Sequence, residues 1–276
     1  MRRAGLADRA ARLLLLALLL VFSAAPIAWL VLTSFKNRVD VLASPPRFLF
    51  TPQVESYGRL LLHQGSTILG NLQNSLAVAM ATTAVVVLLS TLAAFSFSRY
   101  AFRGRAALFL GLLATRLLPP ITTVIPLFLL WNRWKLVDTH LGLILIYSGL
   151  NAPLAVWMIK AFLDGVPVEL EQAAMIDGCS RLGALRRVTL PLAAPGLAAT
   201  AVFVFVLAWN EFMFAFIFTS VHAKTMPVII AQGLGELQVE WTDIATLGTV
   251  VMLPTVVLTF LAQKHLVKGL TAGALK

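Results

Sequence analysis

The sequence predicts an all-α, polytopic membrane protein with six transmembrane helices. Three observations carry this. Of its 276 residues, 59% are hydrophobic and only 12% charged, with a mean hydropathy of +0.87, whereas soluble domains run nearer a quarter charged. The apolar stretches are continuous instead of alternating every second residue, which argues against a transmembrane barrel. The basic residues also fall unevenly on the segments between those stretches, so the net charge of +10 reads as a positive-inside bias. It does not read as a nucleic-acid footprint, and no nucleic-acid partner is expected.

Taken in order, residues 1–12 carry Arg2, Arg3, Arg9 and Arg12 and read as a cytoplasmic N-terminus. The uncharged run 13–35 is long enough for a retained first span and too long for a cleaved signal core. Residues 36–70 hold Pro45, Pro46 and Pro52 and are too polar to cross; an outer loop with a short interfacial helix around Val54–Leu62 is expected. The second span is 71–97. Ser98–Arg105 then places three arginines in an inner turn. The third span, 106–131, contains Pro119, Pro120 and Pro126, which kink a membrane helix, and carries Arg116 at membrane depth. Trp131 and Trp134 flank a short outer loop as interface anchors. Spans four, five and six are expected at 141–158, 198–219 and 244–262, the fifth interrupted by Asn210 and Glu211. Residues 263–276 form a tail. In this arrangement fourteen Lys and Arg fall on inner segments and seven on outer ones, with Arg116 within a span, which accounts for all 22. Both termini are thereby placed in the cytoplasm. No internal repeat suggests an inverted-repeat transporter.

The same count places the polar segment 165–197 inside. Pro167 suits a helix start, and Glu169 and Glu171 sit near the positive end of the dipole. Val168–Ile176 has no breaker, and Asp177-Gly178 is a strong stop. A second short helix is expected over Ser180–Leu190 with Ser180 as N-cap, separated from span five by Pro191 and Pro195. Ala173 and Ala174 are small enough to let a helix sit deep in a partner's groove. From the residues alone, two readings stand: a docking element, or an amphipathic loop lying on the membrane surface.

The segment resembles the "EAA" segment of ABC-type importer permeases: Glu-Ala-Ala, three residues, Gly, nine residues, Ile, one residue, Leu-Pro. The corresponding positions here are Gln172-Ala173-Ala174, Gly178, Val188 and Leu190-Pro191, with every spacing kept. Over nearly its whole length the chain is similar to the shorter permease of the carbohydrate-uptake, maltose-type branch. The similarity includes Asn74-Ser75-Leu76, Leu118-Pro119-Pro120, Ile125-Pro126-Leu127, Leu136-Val137-Asp138-Thr139, Trp209-Asn210-Glu211-Phe212 and Gly269-Leu270-Thr271-Ala272-Gly273-Ala274. The resemblance implies a binding-protein-dependent ABC importer permease fold in a bacterial-type inner membrane. It implies as partners a second permease subunit, two ATPase subunits, an extracytoplasmic solute-binding protein and membrane lipid. ATP and Mg would then sit on the ATPase subunits, with no cofactor on this chain. Segment 165–197 would be a coupling helix docked in the ATPase, using Glu169, Glu171, Gln172, Ala173, Ala174, Asp177, Gly178, Leu190 and Pro191. The chain departs from the motif at Gln172, where the family's glutamate pairs with a basic residue, and at Val188. Glu171 or Glu169 is left to supply the charge.

Charges at membrane depth are costly and face a bundle interior or a wet cavity. Arg116 and Glu211 are therefore a structural pair, or residues snorkelling to the interface, or part of a translocation path with Asn151, Trp209 and Asn210 as sugar-facing partners. The rival reading is an ion-coupled secondary transporter using Arg116 and Glu211. No catalytic or metal site is expected. Four scattered histidines and the single Cys179 lack ligand spacing, and there is no Walker A, HExxH or Gly-x-Ser-x-Gly pattern.

Overall fold

The structure, a computed structural model, describes residues 6–62, 67–234 and 240–273. The first residues of the expected N-terminal segment (1–5) and the last of the tail (274–276) lie outside them. Among the described residues there is no strand. The chain divides into two compact units: residues up to Leu69 together with Ile230–Leu253, and Gly70–Ile229 together with Pro254 onward.

In the first unit, α1 (Leu6–Ser34) is a 29-residue apolar helix. The short α2 (Arg38–Val41) is capped by Asn37, whose Oδ1 accepts from the Asp40 N–H at 2.7 Å. α3 (Glu55–Tyr57) runs into a π-helical turn, Gly58–Leu62, where the sequence places an interfacial helix. Tyr57 stacks on Phe35 at 5.4 Å and shares a 2.7 Å hydrogen bond with Ser34 Oγ. Ion pairs Arg38–Glu240 (2.8 Å) and Arg59–Asp243 (2.6 Å) fasten this loop to the segment around Trp241.

The second unit is built on α4 (Ile68–Arg99). Its buried positions Ser75, Val78, Ala79, Thr82, Val86, Ser90 and Ala94 recur every three or four residues and are mostly small, so neighbours approach closely. Next come α5 (Arg105–Ala114), a 3₁₀ turn Thr115–Leu117, and α6 (Pro120–Arg133). The single span expected at 106–131 is thus two helices, bent by 95°. The cause is local. A residue preceding proline is pushed out of the helical region; Leu118 and Pro119 both precede one, and both are extended at ψ 126° and 124°.

α7 (His140–Asp164) follows, N-capped by Thr139, then α8 (Val168–Ile176) and α9 (Arg181–Ala184). The break expected at Pro191 does not form. A π-helical turn, Leu185–Thr189, leads directly into α10 (Leu190–Trp209), with the Leu190 N–H donating five residues back to Leu185 O; Pro191 has no N–H of its own to pair, and the looser π turn before it takes up the ladder bond it omits. α4, α7 and α10 share a core of Ala94, Val156, Ile159, Leu163 and Ala193, joined by Val166 of the following link. Gly196 allows a close approach: a Cβ there would run into the Phe162 ring. The chain breaks at Asn210–Phe212 before the short α11 (Met213–Phe218), followed by α12 (Met226–Leu234) and α13 (Trp241–Gly273). Among the described residues, five helices are long and apolar enough to cross a membrane, six if the bent pair is one span.

Candidate functional site

The helix–glycine–helix at Val168–Ala184 is shaped by its own residues. Pro167 holds an extended ψ of 132° and starts α8, and Asp177 ends it. Gly178 takes φ +90°, a conformation only glycine adopts without strain. Its N–H donates to the Met175 carbonyl at 3.1 Å, and the Cys179 N–H reaches back to Ala174 O at 3.0 Å. These two bonds make a Schellman cap and satisfy carbonyls the helix end would otherwise leave open. Ser180 Oγ accepts from the Gly183 N–H and caps α9.

Periodicity sorts the segment into two faces. Glu169, Gln172, Ala173 and Ile176 are all exposed, Ile176 at 86%; at spacings of three and four they form one stripe. Ala174 is half-buried. Asp177, Gly178 and Pro191 are exposed and Leu190 half-buried. Arg181, Leu182, Arg186 and Arg187 continue the exposed surface past the turn.

Glu171 lies on the opposite face and is 6% exposed. Its charge, one of the two expected to be offered to a partner, is engaged within the chain: Oε1 accepts from Arg99 Nε at 2.8 Å and from the Thr189 hydroxyl at 2.9 Å. Arg99, at the end of α4, also donates through Nη2 to Leu163 O (3.0 Å) and Val166 O (2.9 Å), and through Nη1 to Ser98 Oγ (3.0 Å). Ser98 Oγ donates in turn to Asp164, which pairs with Lys160, both at 2.6 Å. Arg99, Ser98 and Thr189 were not singled out from the sequence. SRYAFRGR was read only as an inner charge cluster, and nothing local reveals carbonyls more than sixty residues away.

The five path candidates do not form one site. Among the described residues no ion pair joins Arg116 to Glu211. Arg116, in the 3₁₀ turn before the proline break, donates to Leu150 O at 2.8 Å. It lines a cleft of about 180 Å³ with Thr115, Thr123 and Gly149. Glu211 instead caps α11, with Oε1 accepting from the Phe214 N–H at 2.9 Å and Oε2 from the Ala215 N–H at 3.1 Å. Trp209 is 1% exposed and stacked on Phe205 at 5.6 Å, so it packs the core and offers no ring face to a sugar. Asn151 is also buried and donates to Tyr147 O. Asn210 is exposed, with its amide turned back to Val206 O. Polar side chains at helix breaks are drawn to freed backbone groups first.

A second polar knot lies in the loop after α11. Asp138, at φ +58°, accepts from the N–H groups of Ser220, Val221, His222 and Ala223 and from the Ser220 hydroxyl. Burial raises its pKa, but these backbone bonds outweigh that and hold the carboxyl below its ordinary value. Asn74 completes the knot, donating to His222 O and Lys224 O and bonding His140 Nε2 at 2.7 Å.

Apolar crossing helices, one of them broken at a proline pair, together with an exposed polar helix–glycine–helix, are the architecture of a multi-pass membrane permease. The chain belongs to the family of binding-protein-dependent transport system inner membrane components, which it matches over residues 86–272. It is 37% identical over 267 residues to the trehalose/maltose transport system permease protein MalG of Thermococcus litoralis, covering 95% of this chain and 94% of that one. It is 35% identical to the sulfoquinovosyl glycerol transport system permease protein SmoH of Agrobacterium fabrum, covering 96% and 93%. The fold matches a chain of a bacterial ABC transporter involved in the import of the acidic polysaccharide alginate, with a TM-score of 0.79, 20% identity, and coverage of 96% of this chain and 99% of that one. The fold is that of an ABC importer permease.

Proposed function

We propose that this chain is one of two permease subunits of an ATP-driven importer for a sugar, polyol or related solute. The exposed stripe of α8 docks in a cleft of a cytoplasmic ATPase, and an extracytoplasmic binding protein delivers the solute. ATP and Mg are handled by the ATPase subunits, and this chain does no chemistry. ATP enters the cycle as differential binding to outward- and inward-facing states. The observation that carries this reading is the Gln172-Ala173-Ala174…Gly178…Leu190-Pro191 spacing, found on a helix whose Gln172 and Ala173 are exposed. The sugar-transport names of MalG and SmoH support the solute class.

Within the segment, Glu169 is the carboxylate that shares the exposed stripe with Gln172, so it is the candidate to meet a basic group on the ATPase. Of Arg116, Asn151, Trp209, Asn210 and Glu211, Arg116 is the one that lines the cleft beside Gly149, and it is assigned to the solute route. The ion-coupled reading needed Arg116 and Glu211 as titrating or paired charges; both have backbone partners, which favours the ATP-driven reading.

The test is transport by the complex reconstituted in vesicles with its ATPase and binding protein. Ala173→Trp or Gly178→Pro is expected to abolish solute uptake by loosening ATPase docking, with the permease still in the membrane. Uptake that persists with a hydrolysis-dead ATPase would sink the proposal.

A further inference from the structure

Arg99 and Glu171 are 9% and 8% exposed at their side chains and join four elements through two residues. Arg99 belongs to α4; its Nη2 holds the last turn of α7 and the following link at Leu163 O and Val166 O. Its Nε holds Glu171 of α8, and the same Glu171 oxygen takes the hydroxyl of Thr189, which is fully buried at the entry to α10. Packing does little to fasten α8 at this point. A cavity of about 170 Å³ lies between the end of α4 and α8–α9, with Arg99, Glu171 and, at its edge, Gln172 among the residues on its wall. The ion pair therefore runs along the wall of a gap that side-chain packing leaves open. A buried, hydrogen-bonded arginine–carboxylate pair is directional and resists stretching, while a truncated one leaves an uncompensated charge.

We propose that the Arg99–Glu171 pair is a strut that passes displacement of α8 to α4, α7 and α10 together, so that both residues act as positioning residues for transport coupling. This rests on the reading of α8 as the ATPase-docking helix. The two sides of α8 then divide the work: Glu169, Gln172 and Ala173 meet the ATPase, and Glu171 pulls on the spans. Thr189 sets the direction of the pull by fixing the carboxylate oxygen toward α10.

The experiment uses the full complex in vesicles and measures ATP hydrolysed per solute imported, alongside co-elution of the ATPase with the permease. Glu171→Gln keeps shape and one acceptor but loses the charge. It is expected to retain the ATPase on co-elution and to raise ATP per solute at least tenfold. Arg99→Met is expected to do the same, and the double variant Arg99→Met/Glu171→Met should be no worse than either single, because one strut can be cut only once. Ala173→Trp should instead lose the ATPase, so a docking failure and a strut failure read out differently. An ATP-to-solute ratio within twofold of the unaltered protein for Glu171→Gln overturns the proposal. So does loss of the ATPase by Glu171→Gln while Ala173→Trp keeps it, since that would put Glu171 on the docking face.

Discussion

Replacing Glu211 separates a structural carboxylate from a transporting one. Its two oxygens accept backbone N–H bonds at 2.9 and 3.1 Å from the first turn of α11, just after the chain leaves α10. Hydrogen bonds to a charged group contribute about 1.5–3 kcal/mol each, and loss of a helix N-cap costs about 0.5–2 kcal/mol. With both bonds removed and two N–H groups left where water is scarce, Glu211→Ala should cost about 2–4 kcal/mol. In thermal unfolding of the detergent-solubilised permease this is a fall on the order of 10 °C. Glu211→Gln retains one acceptor and should lose about half as much. It should also still support uptake, because the reading gives the carboxylate no proton or ion to carry. A Glu211→Ala protein that unfolds within about a degree of the unaltered one would refute the capping argument. A stable Glu211→Gln that imports nothing would return the residue to the solute or ion route.

Gly196→Ala drives a methyl group into the base of the Phe162 ring; overpacking of this kind costs about 1–3 kcal/mol, and the Gly196→Ala/Phe162→Leu pair should recover part of it in the same unfolding assay. At Asp138 the folded-state carboxyl is held below its ordinary value. Its contribution to the 219–223 loop is therefore complete at neutral pH and erodes as pH falls below about 4, the unfolded-state value. Hydrogen exchange of the Ser220–Ala223 amides should accelerate in acid beyond its intrinsic pH dependence, and Asp138→Asn should remove that extra response. An unchanged acid response in Asp138→Asn would dismiss the carboxylate as its source.

What could be read from the sequence was what short-range chemistry decides. The stop at Asp177-Gly178 follows from one residue's freedom at positive φ, and the cap at Ser180 from one hydroxyl. The two faces of α8 are also legible: a period of 3.6 puts Glu169, Gln172, Ala173 and Ile176 on one side and Glu171 on the other, which separates the two glutamates. The proline pair announced a disturbance in the third apolar stretch, but not its size, since a kink and a 95° turn differ in how neighbouring segments take up the freed carbonyls. Arg99 could not be read at all. Its partners at Leu163, Val166 and Glu171 are remote in sequence, and an arginine after an apolar run looks the same whether it ends in water or in a buried network. Trp209 misled for a related reason: an aromatic beside polar residues suggests a ligand face, yet this ring is consumed by Phe205.

The π-helical turn Leu185–Thr189 has one more residue per turn than the α-helices it joins. It therefore absorbs one residue with little added rotation and keeps α9 and α10 close to the phase of one continuous α-helix. Removing a single residue from within it would restore that helix at nearly unchanged length and leave the Arg181–Leu182 surface facing nearly the same way. Removing one from the α-helical part of α10 beyond it meets no such slack and would turn the two parts by about 100° relative to each other.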